Sequence, residues 1–95
     1  MIIRIVKMSF KPEKVATFLA LFEKKQAQIR NFEGCEHLEL WQDKNESNIF
    51  FTHSHWQSEE HLNKYRHSDF FQATWKISKS LFREKAEAWS LQKTF

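Results

Sequence analysis

The apolar residues of this chain change their spacing along its length, and that change dictates the fold. Residues 2–10, IIRIVKMSF, are β-branched and partly alternating, the pattern of a strand. Between Glu13 and about Ile29 the spacing lengthens. Val15, Phe18, Leu19, Phe22 and Ile29 recur at intervals of three, four and seven, the stripe of an amphipathic helix. Pro12 stands just before it, in the first turn, where a missing N–H leaves no bond unmade. Gly34 then suits a tight entry into a second strand, residues 35–42, CEHLELWQ. The polar cluster DKNESN at 43–48 separates this from a third strand, residues 49–56, IFFTHSHW, so the two form a hairpin.

The spacing lengthens again after Trp56. Ser58 suits an N-cap, and Glu59 and Glu60 favour the positive end of a short helix reaching about Arg66. Ser68 and Asp69 offer a second start. Phe70, Ala73, Thr74, Ile77 and Leu81 form its stripe, with Phe71, Trp75 and Phe82 beside it. Residues 86–94, AEAWSLQKT, read as the last strand. The order β-α-β-β-α-β predicts an α+β, ferredoxin-like fold: one antiparallel sheet with its helices on one face, in a single domain over residues 1–95. Strand 2 carries Leu38 and Leu40 on one side and Trp41 on the other. Strand 3 carries Phe51 on one side and Phe50 and Trp56 on the other. Two apolar sheet faces predict a partner subunit, hence a homodimer.

Composition narrows the function. Cys35 is the only cysteine, which excludes an internal disulfide and a multi-cysteine zinc cluster. One glycine and one proline exclude a phosphate-cradling glycine loop. The net charge of +3 is small and interspersed, unlike the basic face of a nucleic-acid binder. RNA-binding domains share this element order, but Asn48–His53 has neither the glycine nor the leading Lys or Arg of their signature. No nucleic-acid partner is expected. Apolar runs fall far short of the ~20 residues of a membrane helix. The charged N-terminal stretch does not read as a signal peptide, so no membrane contact and a cytoplasmic location are expected. Aromatic residues reach 16%, with ten Phe, four Trp and one Tyr, enough to wall a pocket or an interface.

His53 and His55, two apart on a strand, share a face and suit a base pair for a phenolic proton. A metal reading needs His37 as third ligand. Simple pairing of Asp43 with Asn48 puts His37 opposite Ser54, on the other face, so no metal site is expected. Tyr65 and His67 lie between the helical pieces. Tyr65 suits a donor to a quinone-like oxygen, against a plain core role, and His67 a ligand contact. Phe71 and Trp75 suit walls for a flat aromatic molecule, although aromatics at helical spacing also build cores. Cys35 has no activating partner in the sequence and reads as an inert thiol. Glu23-Lys24-Lys25 reads as a solvated helix face.

Glu33-Gly34-Cys35, the strand ending in Trp56, Gln57-Ser58-Glu59-Glu60-His61-Leu62 and Ser68-Asp69-Phe70-Phe71 together resemble the antibiotic biosynthesis monooxygenase superfamily. The resemblance spans essentially the whole chain. It implies a ferredoxin-like dimer whose two sheets close into a barrel, and oxygen chemistry without a cofactor on a small quinol-type aromatic. On that reading His53 or His55 is the base, Tyr65 the donor, and Phe71, Trp75 and His67 contact the substrate. Residues that mark the haem-degrading branch have no match near Val6, at Tyr65 or at Trp75. The branch that isomerises autoinducer phosphates places His at the Tyr65 and Phe70 positions, and neither matches. Ser54 replaces a Glu found in many members. These departures keep open a module of the same fold that binds a ligand without turning it over.

Overall fold

The computed structural model describes residues 1–95. Strand β1 spans Ile2–Phe10, and a 3-10 turn at Pro12–Lys14 leads into helix α1, Val15–Arg30. Strands β2, Cys35–Gln42, and β3, Ile49–Trp56, form the hairpin. Helices α2, Glu59–Arg66, and α3, Asp69–Ser80, precede strand β4, Phe82–Leu91. The strands pair antiparallel in the order β2-β3-β1-β4. No helix is long and apolar enough to cross a membrane.

Local chemistry accounts for the breaks. Ser58 Oγ accepts from His61 N–H at 3.2 Å, and Ser68 Oγ from Phe71 N–H at 3.1 Å. Each hydroxyl satisfies a donor that a helix start would otherwise leave unpaired. The second cap makes α3 a new helix rather than a continuation of α2. Gly34 has φ +88°, a left-handed conformation that costs a residue with a Cβ. A Cβ there would also collide with the His61 side chain.

The helices cover one sheet face. Met8, Phe10, Phe18, Phe50 and Leu81 form the buried core beneath them. Phe10 is fully buried and stacks on Phe18 with centroids 4.1 Å apart. Burying one such ring stabilises the fold by about 2–3 kcal/mol. The other face has no helix on it. There Trp41, Trp89 and Leu91 stay 46%, 42% and 49% exposed. The chain exposes 6500 Å² in all, against about 5,800 Å² for a monomer of its mass.

Three expectations need correction. The inner stripe of α3 is Phe71, Thr74, Trp75 and Ser78; Ile77 is 46% exposed and Ala73 faces water. Leu19 of α1 is likewise 42% exposed. Propensity and spacing fixed each helix but not its rotation, because apolar residues surround more than one side. The last strand starts at Phe82, earlier than expected, because α3 caps at Leu81 and Phe82 pairs with Phe10. It stops at Leu91, which already faces Ile3 near the start of β1.

The hairpin register is the third correction. Asp43 N–H donates to Ile49 O at 2.8 Å, so Asp43 does not face Asn48. Its carboxylate accepts from Asn45 N–H and Glu46 N–H and folds the loop. A bulge between Cys35 and His37 takes up the surplus residue. His37 therefore pairs with His55, not with Ser54. A one-residue slip exchanges the two faces of a strand, so His37 lies on the same face as His53 and His55.

Candidate active-site pocket

Alternation along the strands decides what the helix layer encloses. In β1 the inward positions are Arg4, Val6, Met8 and Phe10; in β3 they are Phe50, Thr52, Ser54 and Trp56. The even-numbered residues toward the Arg4 end do not fill the space below the helices. They leave a cavity of about 330 Å³ between the sheet, α1, α2 and α3. Its size falls in the range of small-molecule sites, and 14 of its 21 lining residues are hydrophobic.

A run of touching rings forms one wall. Trp56 stacks on Tyr65 with centroids 4.8 Å apart, and Tyr65 meets Phe71 edge-on at 5.0 Å. Phe71 stacks on Trp75 at 5.8 Å, with the planes 13° from parallel. The Trp56 indole N–H donates to Ser54 Oγ at 3.0 Å, which fixes the indole against the sheet. Burial pushes the Tyr65 hydroxyl well above its ordinary pKa, with a smaller push from Cys35, so it stays a neutral donor.

The charged groups of the lining are of one sign. Arg4, Lys25 and Arg66 line the cavity with Thr52, Ser54, Thr74 and Ser78, and no carboxylate or imidazole joins them. Arg4 Nη1 donates to Ser90 Oγ at 2.9 Å. Burial, then the nearby charge of Arg66, lowers the Arg4 guanidinium from its ordinary value, yet arginine stays cationic at neutral pH.

Of the residues singled out from the sequence, Tyr65, Phe71 and Trp75 come together here. His53 and His55 do not. They sit at odd positions of β3 and point to the open face, so the sheet separates them from Tyr65. His67 caps the exposed end of α2, its Nδ1 2.7 Å from Asn63 O, and lies outside the cavity. Cys35 donates its S–H to His37 O at 3.7 Å, and burial raises its pKa, which suits an unreactive thiol. Sequence reasoning missed Arg4. The signal was its parity: it alternates in step with Met8 and Phe10.

The family model for antibiotic biosynthesis monooxygenase matches residues 1–76. The chain belongs to the antibiotic biosynthesis monooxygenase family. Solved structures share its fold over nearly their whole length. A conserved protein from Methanosarcina mazei Go1 is 25% identical, with a TM-score of 0.92 over 99% of this chain and 94% of that one. A putative antibiotic biosynthesis monooxygenase from Caulobacter crescentus CB15 is 20% identical, with a TM-score of 0.91 over 99% and 90%. Another from Nitrosomonas europaea is 14% identical, with a TM-score of 0.88 over 100% of both chains. No curated protein matches the chain. The antibiotic biosynthesis monooxygenase fold thus extends past the matched segment to β4, which supplies Ala86 and Ala88 to the cavity lining.

Proposed function

We propose that the chain is a monooxygenase that takes a small, flat, acidic aromatic of the quinol or anthrone type into this cavity. The observation that carries the reading is a ring-walled cavity whose charged lining is wholly cationic. Cations beside a bound phenol or enol favour its anion, so the substrate is held ionised, its proton left to solvent, without a carboxylate or imidazole to take it. Arg4 is the principal counter-ion, and Phe71 and Trp75 hold the ring plane.

An electron-rich anion of this kind reduces O₂ itself. Its carbon bonds one oxygen to give a hydroperoxide. The O–O bond then breaks, one oxygen stays as a carbonyl and the other leaves as water. The electrons lost by the carbon are those gained by O₂. Tyr65, a neutral donor at the wall, stabilises the oxyanion as it forms. The apolar wall keeps water from the intermediate. This reading gives no part to His53 or His55, which face away from the cavity.

We further propose a homodimer formed through the open sheet face, where Trp41, Trp89 and Leu91 lie uncovered.

The test is oxygen uptake by the purified protein with anthrone, naphthoquinol and catechol substrates, against a heat-killed control. Uptake above the control, with one atom of ¹⁸O₂ in the product, supports the reading. Tight binding of these molecules with no turnover overturns it. The lack of a carboxylate or imidazole to take a proton in the lining then favours a module that binds such ligands without reaction.

A further inference from the structure

The corrected register gathers three imidazoles and a carboxylate on the open face of the sheet, on the side away from the cavity. His37 pairs with His55, and Glu39 with His53, so the four side chains occupy neighbouring positions of β2 and β3. One oxygen, Glu39 Oε1, lies 3.2 Å from His37 Nε2 and 3.3 Å from His53 Nδ1. The donor atoms of His37, Glu39 and His53 all lie within 4.8 Å of one another. A tetrahedral ion about 2.0–2.1 Å from each donor requires donors about 3.3–3.4 Å apart. The two edges to Glu39 match those of a zinc-like coordination shell, and the third, between His37 and His53, lies within 4.8 Å.

The surroundings orient these ligands. His55 Nε2 is 3.2 Å from His53 Nε2, the ring nitrogen that does not face Glu39. With His53 Nδ1 on a metal, its Nε2 carries the proton and donates it to His55. Partners of this kind hold metal-binding imidazoles in one tautomer. The Trp41 indole N–H donates to Glu39 Oε1 at 3.2 Å, and the Trp41 ring packs on His53 with centroids 4.5 Å apart. The His53 side chain is only 17% exposed, so its ring position is set by packing.

We propose that His37, Glu39 and His53 form a site for a divalent transition ion of the zinc class, with His55 orienting His53. Two imidazoles and a carboxylate suit such an ion and leave a fourth position for water or another ligand. The site does not depend on the function of the cavity, from which the sheet separates it; it lies on the face proposed for the dimer, beside Trp41.

The test uses the full chain, freed of metal with a chelator. Zn²⁺ is titrated calorimetrically, and Co²⁺ binding is followed by its visible absorption, whose intensity reports tetrahedral geometry. One ion per chain at micromolar concentration is expected. Glu39→Gln and His37→Ala should weaken binding about 10-fold or more, as should His55→Phe. His67→Ala should leave it unchanged. No saturable binding, or binding that survives both Glu39→Gln and His37→Ala, overturns the proposal. Circular dichroism on each variant shows that it is folded.

Discussion

The ring of Tyr65 stacks on the indole of Trp56 with centroids 4.8 Å apart and planes 26° from parallel. Trp56 is almost fully buried and is tied to Ser54 through its N–H. The phenol is thereby fixed to the sheet, although its own backbone lies on α2. Tyr65→Phe keeps that stack and removes only the hydroxyl. Loss of one oxyanion donor costs about 10²–10³ in kcat. A fall of about 100-fold in turnover with ligand affinity held is expected from steady-state kinetics and direct binding. Unchanged kcat would remove Tyr65 from the chemistry.

The same hydroxyl gives an alkaline signature. Its folded pKa is raised above the ordinary 10.0 by burial. Above that pH the unfolded chain loses the proton and the folded chain keeps it. Folding stability is then fully present below about pH 10 and declines as pH rises further. Urea unfolding from pH 9 to 11 should show this decline in the native protein, and a flatter profile in Tyr65→Phe.

Arg4 should discriminate by charge. Arg4→Gln keeps a polar side chain of similar reach and removes the cation. Affinity for an ionised aromatic should fall about 10-fold or more, the scale of a lost charged hydrogen bond. Affinity for a neutral isostere should change little. Calorimetry on the two ligands compares them, and equal losses would count against a counter-ion role.

Gly34 carries two separable demands. Its positive φ costs a residue with a Cβ about 1–2 kcal/mol, and the collision with His61 adds to that. Gly34→Ala should destabilise the fold by roughly 2 kcal/mol or more and lower Tm by about 10 °C. In a His61→Gly background, which removes the colliding Cβ as well as the ring, the same change should cost only the backbone part, about 1–2 kcal/mol. Equal costs in both backgrounds would show that the His61 side chain, Cβ included, yields freely.

The open sheet face should set the oligomeric state. Trp89 is 42% exposed and pairs with Ile5 on that face. Trp89→Glu places a charge among apolar side chains. Light scattering should show a dimer for the native chain and a monomer for the variant. A native monomer at micromolar concentration would refute the interface.

The element order was legible because the spacing of Val15, Phe18 and Phe22 differs so plainly from that of IIRIVKMSF. Both serine caps were legible for the same local reason. Which sheet face meets the helices was not. Phe50 and Phe51 are adjacent, both apolar, and offer no ground to choose between parities. Tyr65, Phe71 and Trp75 could be placed because ring size and helical spacing limit where they go. His53 and His55 could not, since their side depends on that parity. His37 depended besides on a bulge, which a pairing counted out from the turn does not contain.

Strand β2 is one residue longer than the gap it bridges. Gly34 O accepts from Gln57 N–H at one end, and Asp43 N–H donates to Ile49 O at the other. The spare length is stored next to Cys35. Were it stored beside the turn instead, both ends could stay anchored while every side chain between them changed sides. Leu38 and Leu40 would then meet the solvent, and His37 and Glu39 would lie under the helices. The location of that slack works as a phase setting: it decides whether this surface presents imidazole or leucine to whatever approaches it.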